Sequence, residues 1–124
     1  MVNVGQAVEL KIVAEVRQEL PELVLGYMIK DRLGQPMFGT NTHHLRHVLH
    51  DLKAGDLSTF VFRFHAALGP GTYSIATSLH TDDNHIGKNY EWKDLALVFN
   101  VVNLDKTHFV GSAWLPPQLM IPHE

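Results

Sequence analysis

The sequence predicts an all-β fold, an immunoglobulin-like antiparallel β-sandwich of about seven to eight strands, with a jelly-roll-like arrangement as the alternative. Three observations predict it. Apolar residues recur at period two in most apolar stretches, turn residues separate those stretches at short intervals, and Leu68-Gly-Pro-Gly-Thr-Tyr73 carries the chemistry of a sandwich corner. In that corner Pro70 fixes φ, Gly71 permits positive φ, and Tyr73 stands where a tyrosine hydroxyl bonds back to upstream backbone.

Around the corner lie two strands that read as a hairpin folded about the turn. Ser58 to His65 puts Phe60, Phe62 and Phe64 on one face; Tyr73 to His80 puts Tyr73, Ile75, Thr77 and Leu79 on one face and Ser74, Ala76 and Ser78 on the other. Upstream, Ala7 to Val16 alternates, with Val8, Leu10, Ile12, Ala14 and Val16 inward. Leu20-Pro-Glu22 is expected to break the chain before a strand from Leu23 to Lys30, and Asp31-Arg-Leu-Gly34 is a hairpin turn into Gln35 to Thr40. From His43 to Asp56 the spacing of His43, His44, His47 and His50 among Leu45, Val48, Leu49 and Leu52 predicts a short helix. Leu95 to Val102 is a strand facing inward through Leu95, Leu97, Phe99 and Val101. Val110 to Leu115 is a last short strand, and Pro116-Pro117 with Pro122 ends regular structure. On these faces Val13, Met28, Val61, Val98 and Val102 point outward, which predicts that a second copy or the C-terminal segment covers one outer face.

Composition narrows the function. The 124 residues fit one domain, 1–124, with enough surface to bury a single core. Ten basic residues against thirteen acidic ones give a net charge of -3, and no basic stripe could neutralise phosphates in number, so no nucleic acid is expected as a partner. The chain has no cysteine, which excludes disulfides and thiol chemistry. The start lacks the pattern of a signal peptide and no Asn-x-Ser/Thr acceptor occurs, both favouring a cytoplasmic location.

Several segments in order resemble the C-terminal polysaccharide-binding domain of the ATP-binding subunit of bacterial O-antigen ABC transporters, the Wzt type. They are Gly26-Tyr-Met-Ile-Lys-Asp31, Gly34-x-x-Met-Phe-Gly-Thr-Asn-Thr42, Leu68-x-Pro-Gly-x-Tyr73, Tyr90-x-Trp-x-Asp94 and Phe99-x-Val101. The resemblance spans about residues 5 to 115. It implies an immunoglobulin-like sandwich that recognises the non-reducing end of an exported glycan on the cytoplasmic side of the inner membrane. The implied partners are the ATP-binding domain and the membrane subunit of the transporter. It further implies a homodimer in which a C-terminal segment, 103–124, is strand-exchanged. The phosphate-binding Gly-x-x-x-x-Gly-Lys-Ser/Thr loop of the ATPase half is missing, so this stretch holds the recognition half alone.

Sugar recognition needs flat aromatic faces against C–H groups and side chains that pair with hydroxyls. Tyr90 and Trp92 with the polar His80, Asp83 and His85 supply both within one stretch, and the small row containing Ser74, beside Arg63 and His65, offers a shallow floor. Each has a plainer alternative: Trp92 as a core residue, the Ser74 row as a solvated face, and Asn41 with Thr42 as partners of loop backbone. On a helix, His43, His47 and His50 would share a face, but no third ligand is fixed and the His-Glu-x-x-His pattern is missing, so an exposed or dimer-facing helix outweighs a zinc site. Asp82 and Asp83 are adjacent and point apart on extended backbone, a poor acid/base pair. The expected function is therefore non-catalytic carbohydrate binding with no cofactor, against the alternative of a dimerisation or protein-interaction domain.

Overall fold

A computed structural model describes residues 1–80 and 89–122, with the backbone alone between 89 and 95. Among the described residues eight strands run in the order β1 (Val2–Asn3), β2 (Ala7–Glu15), β3 (Leu20–Asp31), β4 (Pro36–Asn41), β5 (Leu49–Leu52), β6 (Leu57–His65), β7 (Gly71–His80) and β8 (Asn89–Val102). The larger sheet has the order β1-β8-β7-β3-β4, with β5 also paired to β3; the smaller is β2 paired to β6. All pairings are antiparallel except β1 with β8. This is the expected all-β sandwich.

The alternation that predicts β2 and β6 also fixes their register. Leu10 opposes Phe62 and Ile12 opposes Phe60, so one face of the pair is apolar and seals against the larger sheet. Phe62 and Phe64 reach Tyr27 of β3, with ring centroids at 4.8 and 6.3 Å. Val4, Leu10, Ile29, Tyr73, Ile75 and Val101 complete this main core. A second cluster of Val16, Leu20, Leu23 and Leu52 closes the other end. The opposite face of the small sheet leaves Val13 56% and Val61 47% exposed, and Val98 on β8 is 56% exposed, as expected; Met28 and Val102 are half-buried.

The corner forms as its residues dictate. The Tyr73 hydroxyl donates to the Gly69 carbonyl at 2.7 Å in a buried position. Yet β6 and β7 are not a hairpin, since β6 pairs with β2 whereas β7 lies between β3 and β8. The turn carries the chain from one sheet to the other, and Tyr73 pins that crossing. Burial pushes the Tyr73 phenol above its ordinary value of 10.0, and does the same to Tyr27. A phenol whose pKa is raised on folding contributes stability that is complete below about pH 10 and is lost as pH climbs from the unfolded value through the folded one. Tyr73→Phe is expected to lower stability by about 1–2 kcal/mol at neutral pH in urea melts and to flatten the alkaline limb of stability against pH. An unchanged urea midpoint and an unchanged alkaline limb would show that the hydroxyl holds nothing.

Three local expectations are corrected. Pro21 does not end a strand, because β3 runs through it and the ladder to β5 passes over it between the pairs Leu20 with Leu52 and Glu22 with His50, where no donor is needed. The stretch from His43 to Asp56 holds no helix. Thr42 is captured by β3, its amide donating to the Leu25 carbonyl and its hydroxyl accepting from the Leu25 amide, and Arg46 turns into the left-handed region at φ 61°. Finally, Val110 to Leu115 forms no strand but an isolated bridge from Ala113 to Leu68, with the Trp114 amide donating to the Ala67 carbonyl. Phe109 and Trp114 pack against the main core with their rings tilted at 49° and centroids 4.8 Å apart.

Candidate functional site

Sheet register decides which polar residues can act together. On β7 the inward Tyr73 and Ile75 alternate with Ser74, Ala76 and Ser78, so the latter share the outer face of the larger sheet. Across β3 they oppose Lys30, Met28 and Gly26, and β4 adds Gly39 beside Met28 and Asn41 beside Gly26. One cross-strand row therefore reads Asn41, Gly26, Ser78, and the backbone of Trp92 continues it on β8. The floor is low by necessity. A Cβ at Gly26 would lie 2.9 Å from the Ser78 hydroxyl, and one at Gly39 would lie 3.3 Å from the Met28 methyl. Gly26 is itself buried beneath the Ser78 side chain and Ala76 is only 2% exposed, so what the row presents is the half-buried Asn41 and Ser78.

Of the residues expected to bind, Ser74 lies on this face, half-buried, and His80 ends β7 on the same side, its backbone opposite Val24 and Asn89. Trp92 is brought opposite Ser78 by register, and Tyr90 falls at an irregular step of the β7–β8 ladder; their side chains lie outside the described atoms. Asp83 and His85 lie outside the described residues. Arg63 is not brought to this group. It stands on the outer face of the small sheet, pairing with Glu9 at 2.9 Å in the open, as does His65 opposite Ala7. The thickness of the sandwich separates both from Ser74, because β6 and β7 belong to different sheets. Lys30 and Met28 belong to the floor and were not among the expected residues; the signal was their alternation with Tyr27 and Ile29 once β3 is known to be central.

Asn41 does serve loop backbone, its Oδ1 accepting from the His44 amide at 2.8 Å. With the helix gone, His43, His47 and His50 share no face, and among the described residues no group of three histidines or carboxylates is placed to hold a metal ion.

A second surface was not foreseen. Among the described residues the small sheet has two strands, and the β2 edge away from β6 overlooks the inner face of β7 and β8, leaving a cleft of about 790 Å³. Ile12, Ala14, Leu25, Ile75, Leu79 and Leu97 line it. Leu97, expected in the core, is instead 47% exposed there. Beyond Trp114 the chain leaves the fold, with Leu115, Leu119, Met120 and Ile121 between 76 and 83% exposed.

The family model of the Wzt C-terminal domain matches residues 1–115. The chain belongs to the Wzt C-terminal domain family. A solved structure described as the crystal structure of the C-terminal domain of Wzt superposes with a TM-score of 0.82 at 16% identity, covering 96% of this chain and 72% of that one, and so shares the fold. Among curated proteins none matches this chain by sequence.

Proposed function

We propose that this Wzt-type domain is a non-catalytic recognition module that holds the non-reducing end of an O-antigen polysaccharide for export by an ABC transporter. Membership in the Wzt C-terminal domain family supports a place in such a transporter, on the ATP-binding subunit and at the cytoplasmic side of the membrane. The observation that carries the reading is the row Asn41, Gly26, Ser78 and the Trp92 backbone, running across four adjacent strands over a floor of glycine, serine and alanine. A sugar ring packed against this row would meet the half-buried Asn41 amide and Ser78 hydroxyl with its own hydroxyls. His80 and Ser74 belong to the same face, and Tyr90, Asp83 and His85 come from the neighbouring stretch of chain. Sugar contacts exchange closely against water, so affinity falls at about 4–8 kcal/mol, millimolar to micromolar.

The same reading takes the working unit as a homodimer in which the end of the 103–124 segment crosses to a second copy. Residues 113 and 114 bond to the chain's own Ala67–Leu68, so the part that crosses starts at Leu115. The apolar cleft beside β2 is the surface it would occupy.

Isothermal titration with the cognate polysaccharide tests the glycan site. Ser78→Tyr, which raises the floor, and Trp92→Ala are each expected to weaken binding at least about tenfold, roughly 1.4 kcal/mol, while Arg63→Ala on the far face leaves it unchanged. Wild-type affinity in both floor variants would remove the site from this face. No binding by the wild-type chain would leave an interaction domain.

A further inference from the structure

The outer face of the β2–β6 pair carries a pattern set by its register. Lys11, Val13 and Glu15 of β2 point outward, opposite Val61, Thr59 and Leu57 of β6. Leu57 is 70%, Val13 56% and Val61 47% exposed. One aliphatic side chain thus stands on each of three successive outward rungs, and the patch they form has a cation on one end rung and an anion on the other.

The order of charges decides what fits such a patch. Lys11 and Glu15 each lie two residues from Val13, about 7 Å along the strand. A two-fold axis laid across the strands at the Val13–Thr59 rung turns a second copy over and reverses its strand direction, so that two identical faces meet. Val13 then faces Val13 of the partner subunit, Leu57 faces the partner's Val61, and Lys11 faces the partner's Glu15, the last two contacts each being made twice. Moving the axis to the next outward rung spoils the match. At the Lys11–Val61 rung lysine meets lysine and Val13 meets the partner's Glu9, and at the Glu15–Leu57 rung glutamate meets glutamate.

The same axis suits the C-terminal tail. Trp114 sits at the start of β2, since a Cβ on Gly5 would lie 3.6 Å from its ring nitrogen. In the two-fold arrangement the start of one β2 lies over the end of the other, where Val16, Arg17 and Gln18 line one end of the apolar cleft. A tail leaving Trp114 therefore reaches that end of the partner's cleft and runs on antiparallel to the partner's β2.

We infer that the outer face of the small sheet docks a second copy of this chain about a two-fold axis at the Val13–Thr59 rung, with Lys11 of each copy set against Glu15 of the other. The inference rests on the homodimer of the proposed reading and not on glycan binding. Three aliphatic side chains and two charges per copy fall short of the roughly 800 Å² that each partner of a stable complex buries, so the face aligns the two copies and the crossed tails hold them.

Sedimentation of the full chain over a concentration series tests it by charge reversal. Lys11→Glu and Glu15→Lys each set like charges together in both symmetric contacts, and each is expected to weaken self-association at least about tenfold. The double variant Lys11→Glu with Glu15→Lys restores opposite charges and is expected to return to within about threefold of wild type. An equimolar mixture of the two single variants is expected to associate more tightly than either alone, because every contact in the mixed dimer again joins opposite charges. Leu33→Lys, on the β3–β4 turn and 77% exposed in the wild type, leaves association unchanged. Single reversals that associate as well as wild type, or a double variant and a mixture that recover nothing, would overturn the inference. If removal of the tail gives monomers while the reversals have no effect, this inference fails and the tail exchange survives. If the reversals act and tail removal does not, the face stands and the tail exchange fails. A full chain that stays monomeric at about 10 µM overturns both.

Discussion

Gly69→Val is expected to be among the most damaging single substitutions in the domain, lowering stability by about 3 kcal/mol. At this position the corner and the C-terminal connection touch backbone to backbone. A Cβ on residue 69 would overlap the Gly111 carbonyl oxygen and stand 2.9 Å from its carbon. Neither partner can yield by rotating a side chain, so one strip of main chain must leave. What leaves takes its bonds with it: the Gly69 amide donates to the Ser112 carbonyl at 3.1 Å, the Trp114 amide to Ala67 at 3.0 Å, and the Tyr73 hydroxyl to Gly69 itself. Gly34, at φ 81° with nothing within 4 Å of its would-be Cβ, is the control, since Gly34→Ala meets only the cost of positive φ, about 1 kcal/mol. Urea melts of the two variants side by side decide the matter. Equal losses would show that residues 111–114 are not held against the corner.

Removal of residues 115–124 is expected to convert the domain from dimer to monomer while leaving its β-sheet circular dichroism in place. Pro116 and Pro117 lack amide donors, so a ladder to the β2 edge is confined to Gln118–Ile121. In extended backbone Leu119 and Ile121 share one face and suit the cleft, with Met120 on the other. Burying Leu115, Leu119 and Ile121 is worth roughly 5–9 kcal/mol gross per tail. In the proposed two-fold dimer both tails cross, so this burial is made twice over. Sedimentation at about 10 µM reads the result: a monomeric full chain, or a truncated chain that still dimerises, would remove the tail from the interface.

What the residues disclosed in advance, and what they withheld, follows from the range of the forces involved. Phe60, Phe62 and Phe64 announced β6 because a half-buried strand must alternate, and Pro70, Gly71 and Tyr73 announced the corner because their backbone preferences are local. Neither says which strand lies alongside. Turn chemistry reports that the chain reverses and is silent on whether it returns in the same sheet, so the sequence alone makes β6 and β7 neighbours and groups Arg63 with Ser74, which the full depth of the sandwich separates. The histidine loop misled for a related reason. Spacings of three and four suit a helix, but a helix needs its own amides, and here β3 claims Thr42 while Asn41 caps the turn. At the candidate site, Ser74, His80 and Trp92 were legible as polar or aromatic residues. Gly26 and Lys30 gained meaning only from a register set by the whole sheet.

The pairing of Val2 with Val101 joins the two ends of the domain in parallel. Such a contact closes a loop containing almost the entire chain, and the entropy of that closure is paid before the contact returns anything. With β2 likewise waiting for β6, most native pairs are remote in sequence, which places folding on the timescale of about milliseconds to seconds. During synthesis, then, β1 has no neighbour until β8 has cleared the ribosome, and the nascent chain carries unpaired, strand-prone edges until its final segment emerges.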